Sequence, residues 1–175
     1  MRRLLVLALL LAAVGLTAAQ PPYTIPNDAC KQIVEAFAQR DFALLMPVLF
    51  NLDDDAAFDS LFRASKSVDE TAITEYSVSR SDLAEDYERN LMSLQRQFNA
   101  ALVHADSLGL DLANSQYDGF IVHGKDMWMG YNIFFDFEIG VTCEGQIYWL
   151  NPGILRETPH GWKLAAGQGC RFCWR

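Results

Sequence analysis

The sequence predicts an α+β fold in which short helices lead into one long helix laid across an antiparallel sheet. Three patterns carry that prediction. Apolar residues recur at three- or four-residue spacing from Leu83 to Ala105, the period of one helix face. From Asp118 onward apolar and polar residues alternate in runs broken by Gly, Pro and Asn, as in strands joined by turns. Before Leu61 the helical stripes are short and separated by Asp, Asn and Pro.

The elements follow in order. Residues 20–26 hold three prolines and form an extended lead-in. Asn27 or Asp28 caps a first helix with Ile33, Val34 and Phe37 on one face. Asp41 caps a second, carrying Phe42, Leu44, Leu45, Val48 and Leu49, which Pro47 ends or bends. Asp53, Asp54 and Asp55 start a third, whose stripe is Ala56, Ala57, Phe58, Leu61 and Phe62. Acids suit the positive end of a helix dipole, and the glycine and closing glutamate of an EF-hand loop are missing at the required spacing. Residues 71–79 alternate as a strand, with Thr74, Tyr76 and Val78 on one face. Ser81 caps the long helix, whose stripe is Leu83, Tyr87, Leu91, Leu94, Phe98, Leu102 and Ala105 and whose stop is Gly109. The strands are Phe120 to His123, a long one from Met127 to Ile139, and Gln146 to Leu150 after a Glu144-Gly145 turn. Asn151-Pro152-Gly153 makes a bulge or turn, Ile154 to Thr158 is extended, Pro159-His160-Gly161 turns, and Trp162 to Ala166 closes the domain.

Residues 1–19 read as a secretory signal peptide: Arg2 and Arg3, an apolar run from Leu4 to Leu16, then Thr17-Ala18-Ala19. The run is shorter than the roughly 20 apolar residues that span a bilayer, and no later segment reads as a membrane span. The expected address is the periplasm or the outside of the cell, without a lipoprotein cysteine. Cleavage would leave 175 less 19, or 156 residues: the lead-in 20–27, a single domain 28–167 and a tail 168–175. Losing Arg2 and Arg3 takes the formal net charge from −8 to −10, which disfavours nucleic-acid partners.

An exported chain with four cysteines, Cys30, Cys143, Cys170 and Cys173, points to disulfides, and four cysteines allow three connectivities. Cys170-x-x-Cys173 sits two residues from the C-terminus, with no helix to lower a thiol pKa, so a staple is favoured over a redox dithiol. The expected arrangement pairs Cys30 and Cys143 each with one tail cysteine. No metal-ligand spacing is present.

Cys30 to Leu49, and Leu155-Arg156-Glu157-Thr158 with Gly161-Trp162-Lys163-Leu164, resemble the opening helix pair and closing hairpin of the nuclear-transport-factor-2-like superfamily, cystatin-like α+β cones. The resemblance covers roughly Asp28 to Ala166. It implies a curved antiparallel sheet wrapped around the one long helix. Only one clear strand precedes the long helix, where that superfamily usually has two, and the cysteine-bearing tail is an addition. Function stays open, because the superfamily holds isomerases, cyclases, dehydratases and binding domains.

On the long strand, the apolar odd set from Met127 to Ile139 is expected to pack on the helix, which turns Asp136 and Glu138 away from it, unless a bulge at Gly130 or Gly140 reverses part of the pattern. His104, beside the helix stripe, and His160, in a turn, read as structural. His123 with Tyr131 is the first candidate for a catalytic pair. Trp128, Phe134, Tyr148 and Trp149 are the binding candidates: Trp128 and Phe134 point outward with one of the adjacent Tyr148 and Trp149, and this face either serves a homodimer through the sheet or a protein, glycan or small hydrophobic ligand, or is covered by the first helices or the tail. The expected function is an exported, soluble binding or assembly domain without cofactor or metal. The alternative is a small isomerase or lyase acting on a hydrophobic substrate in the cone. That alternative requires a closed pocket with a buried titratable side chain, and a cone filled by Met127, Met129, Phe135 and Phe137 would exclude it.

Overall fold

The structure, a computed structural model, describes residues 26–64, 83–128, 130–165 and 172–175. The expected signal peptide, the lead-in up to residue 25, the 71–79 strand, the Ser81 cap, Met129 and Cys170 lie outside the described residues. Within them the fold is α+β. Among the described residues three α-helices are present: α1 (Pro26–Gln39), α2 (Leu52–Ala64) and α3 (Leu83–Ser107), with 3₁₀ helices at Phe42–Val48 and Leu112–Asn114. Six strands form one sheet: β1 (Gln116–Trp128), β2 (Tyr131–Cys143), β3 (Gln146–Asn151), β4 (Ile154–Thr158), β5 (Gly161–Ala165) and β6 (Cys173–Trp174).

Local chemistry sets the helix ends. α1 begins at Pro26, a residue before the expected caps, because proline at a first helical position lacks only an N–H that would have had no partner. Asp41 caps the Phe42–Val48 helix as expected, its Oδ1 accepting from the Ala43 N–H at 2.9 Å. α3 stops at Gly109, as its sequence predicts. Gly109 has φ +74, and the Leu110 N–H donates to the Ala105 carbonyl at 3.0 Å, the long bond of a Schellman cap.

All strand pairs in the sheet are antiparallel. β2 is central. β1 pairs along its whole length on one side. On the other side β3 covers Ile139 to Cys143, and β4 covers Ile133 and Phe134. β3 and β4 thus run end to end along one edge of β2, broken by Asn151-Pro152-Gly153, which acts as a bulge more than a turn. β5 extends β4, and β6 extends β3.

One core joins α1, α3 and the sheet. Leu94, Phe98, Ala101, Leu102 and Ala105 of α3 meet Ile33 and Phe37 of α1 and Phe137, Ile139 and Val141 of β2. The stripe expected on α3 is therefore its core face over this length.

Two expectations about the sheet need correction. First, Met127 to Ile139 is a tight hairpin, not one strand: Trp128 pairs with Tyr131, and Gly130 has φ +83 between them. Continuous apolarity through the turn hid it, and glycine carries the left-handed backbone the turn needs. Secondly, alternation breaks at Phe135. The ladder runs Val122 with Phe137, Gly124 with Asp136, then Lys125 with Phe134, so His123 and Phe135 each fall at a register shift. The bulge turns Phe134 inward and Phe135 outward. Phe135 is 54% exposed and Met127 64%, while Phe137 is fully buried. Of the residues expected to fill the interior, Phe137 does so, Met127 and Phe135 do not, and Met129 is not described.

The described end of the tail is attached through the sheet and the core, and an expected pairing through Cys170 lies outside the described residues. β6 pairs with β3, placing Cys173 opposite Asn151 and Trp174 opposite Leu150. Phe172 and Trp174 enter the core beside Phe37, with ring centroids at 5.1 and 5.6 Å, and the Trp174 indole N–H donates to the Ala101 carbonyl. Cys30, Cys143 and Cys173 are free thiols. Cys173 faces Asn151, five residues along β3 from Gln146, the ladder partner of Cys143. Five strand residues span about 17 Å, against the roughly 6 Å between Cα atoms that a disulfide bridges.

Candidate functional site

A cavity of about 200 Å³ opens where the start of α2, the first half of α3 and β5 converge. Tyr87, Asn90, Leu91 and Leu94 line it from α3, at the spacing that puts four residues on one helix face. Leu49 to Leu52 and Asp55 form the opposite wall, and Leu164 of β5 closes the floor. That wall is tied to the sheet: the Phe50 N–H donates to the Leu164 carbonyl at 2.9 Å, and Leu49 bridges Leu164 in parallel. Leu49, Leu94 and Leu164 are buried, so the floor is apolar. Asn51, Asp55, Asp86, Tyr87 and Asn90 supply the polar groups.

The start of α2 is built by a capping box. Asn51 Oδ1 accepts from the N–H groups of Asp53 and Asp54 at 2.9 and 3.1 Å, and Asp54 Oδ2 accepts back from the Asn51 N–H at 3.0 Å. The acidic triplet does start a helix. The fully buried Asp54 does more: its Oδ1 accepts from the Thr158 hydroxyl at 3.1 Å and lies 3.1 Å from His160 Nδ1. A carboxylate thereby locks α2 to the β4–β5 turn. Burial, with the Asp54 charge behind it, pushes the Tyr87 phenol above its ordinary pKa. Tyr87 is thus a hydrogen-bond donor at neutral pH.

A cationic contact flanks the cavity. The Arg156 guanidinium lies 4.4 Å from the Trp128 ring centroid, 4.7 Å from Phe58 and 5.7 Å from Phe50. Phe50 is shared with the cavity wall.

The residues singled out from sequence fall elsewhere. His123 sits at the β1 bulge with Nε2 3.2 Å from Glu138 Oε2, and Arg175 Nη1 donates to the other oxygen of Glu138 at 3.1 Å. Tyr131 lies at the hairpin end, edge-on to Phe58 at 5.3 Å. Its ladder partner Trp128 is five residues, about 17 Å, from His123, so the expected catalytic pair is not assembled. The four aromatics do not form one surface either. Trp128 faces α2, 5.0 Å from Phe58. Phe134 packs on Trp162 at 4.7 Å, and Tyr148 lies against the core. Trp149 lies over Gly140, where an added Cβ would meet its ring at 3.3 Å.

Asp55 and Asp86 were legible only as helix-start acids and Tyr87 only as a stripe position, and Asn90 was not singled out. The available signal was Tyr87-x-x-Asn90-Leu91, which puts polar groups inside an otherwise apolar stripe. Among the described residues no group of His, Cys, Asp and Glu is arranged to hold a metal ion, and no helix is long and apolar enough to cross a membrane. Family models, curated proteins and solved structures provide no match to this chain.

Proposed function

We propose that this chain is an exported ligand-binding domain whose site is the cavity between α2, α3 and β5, and that its ligand is small and mostly apolar. The observation that carries this reading is an apolar floor of Leu49, Leu94 and Leu164 beneath convergent polar groups, the usual make-up of a ligand site. At about 200 Å³ the space suits a single ring with a short substituent. The Arg2 to Leu16 segment supports export. We further propose that the sheet curves about α3 as in the nuclear-transport-factor-2-like cones. The shared core of α3 and β2 supports that reading.

The test uses indole and benzyl alcohol as probes, followed by ligand-observed NMR on the purified protein. Saturable binding at millimolar or lower concentration is expected, and Leu91→Trp, which fills the cavity from α3, should abolish it while leaving the circular dichroism unchanged. Absence of saturable binding, or equal binding by Leu91→Trp, overturns the proposal.

A further inference from the structure

The hydrogen-bonding groups of the cavity wall narrow the ligand further, on the premise that the cavity is the binding site. We infer that the ligand is uncharged and presents a carbonyl oxygen, as a ketone, ester or amide on a compact apolar body, to the Tyr87 hydroxyl. Tyr87 stands one turn before Leu91 and two turns before Leu94, so the helix face that forms the apolar wall also carries the phenol. Its hydroxyl has no partner among the described residues. It keeps its proton at neutral pH, because burial and the Asp54 charge both favour the neutral form. Across the space, Asn51 Oδ1 already accepts from the Asp53 and Asp54 N–H groups, which leaves its amide N–H groups to offer. Both walls therefore present donors above an apolar floor, and an acceptor is what completes them.

The charges of the wall favour a neutral ligand. Asp86 meets Arg89, one turn further along α3, and Asp55 has a partner of its own. Neither carboxylate stands as a free counter-charge for a cation. Among the described residues no Lys, Arg or His lines the cavity. A carboxylate ligand would therefore lose water against Leu49, Leu94 and Leu164 with no positive charge to replace it. A neutral carbonyl loses less water, and one donated hydrogen bond offsets that loss.

The test uses acetophenone and α-methylstyrene, which share a shape and differ by a carbonyl oxygen against a methylene group, with benzoate and benzylammonium as charged counterparts. Each is titrated at neutral pH against the unaltered protein, Tyr87→Phe and Leu91→Trp. Tyr87→Phe keeps the ring and deletes one donor. It should weaken acetophenone about five-fold and leave α-methylstyrene within about two-fold. Acetophenone should bind the unaltered protein tighter than either charged probe. The infrared carbonyl stretch of bound acetophenone should lie below its value in hexane, and should move back towards that value in Tyr87→Phe. Should Tyr87→Phe fail to fold, the stretch in the unaltered protein decides alone. A stretch at the hexane value, or a folded Tyr87→Phe that treats acetophenone and α-methylstyrene alike, overturns the carbonyl inference while the cavity reading stands. Tighter binding of benzoate or benzylammonium than of acetophenone overturns it as well. If no probe binds, or Leu91→Trp binds acetophenone and α-methylstyrene as the parent does, the cavity reading itself fails.

Discussion

The hydroxyl of Thr158 donates to Oδ1 of Asp54 at 3.1 Å, across 104 residues of chain. With the Asn51 N–H on Oδ2, this bond fastens the first turn of α2 to the β4–β5 turn and so holds one wall of the cavity against the sheet. Asp54→Ala removes an acceptor that satisfies several donors in a fully buried place. A loss of about 2–4 kcal/mol is expected, from the helix cap and the lost buried bonds of the carboxylate together. Thr158→Val leaves the capping box and should cost less, about 1–2 kcal/mol. Urea denaturation of both variants measures the difference. Equal costs would show that the cap contributes nothing beyond the Thr158 bond.

The tail makes a second prediction. Phe172 and Trp174 sit in the core beside Phe37 and Phe98, while Cys173 between them is a free thiol. Trp174→Ala should destabilise by about 3–5 kcal/mol, the cost of emptying a large aromatic site. Cys173→Ser should stay within about 0.5 kcal/mol, as for a substitution away from core packing. A large loss on Cys173→Ser, or one reproduced by reductant alone, would mean that sulfur holds the tail.

Most of the fold was legible because periodicity reports burial. Leu94, Phe98 and Ala105 repeat at helical spacing, and they are core. Asp41 and Gly109 act as the cap and the stop their chemistry predicts. Failures occurred where one residue changes the geometry without changing the composition. Gly130 folds an apolar run back on itself, and the Phe135 bulge reverses which face is inside. Neither leaves a mark in hydrophobicity, since residues on both sides are apolar. The cavity was illegible for another reason. Asp55 and Asp86 each have a sufficient local role at a helix start, so nothing in sequence shows that two such starts converge.

Stability should decline in alkali through two groups packed near each other. Burial pushes the Cys30 thiol up from 9.0 to about 12. Burial likewise raises Tyr117 to about 12, with the Cys30 and Asp28 charges adding to it. Tyr117 also donates to Asn27 Oδ1 at 2.6 Å. Both groups are neutral when protonated, and both hold the proton more tightly folded than unfolded. Their contribution is therefore complete below pH 9 and is lost as pH rises towards 12. Urea midpoints should be flat from pH 7 to 8.5 and fall from pH 9 upward. Cys30→Ala should flatten the part between pH 9 and 10 and leave a shallower fall above pH 10, where the unfolded chain gives up the Tyr117 proton that the fold still holds. An unchanged slope between pH 9 and 10 in that variant would exclude Cys30 as its source.

Arg156 and Trp128 test how the hairpin end is held. The guanidinium lies 4.4 Å from the Trp128 ring and 4.7 Å from Phe58 of α2, which itself meets Trp128 at 5.0 Å. Arg156 thus joins β4, the hairpin and α2 at one point. Arg156→Met keeps most of the aliphatic stem and deletes the charge, and Trp128→Leu keeps apolar bulk and deletes the ring. Each variant disturbs other contacts, so only the cycle of both singles and the double isolates the pair. A coupling of about 0.5–2 kcal/mol is expected for a cation over an indole in a half-buried site. Trp128 emission should also shift in Arg156→Met, since the ring loses its charged neighbour. A coupling near zero would show that the cation over the indole does not hold the hairpin and would assign its attachment to the Phe58–Trp128 contact.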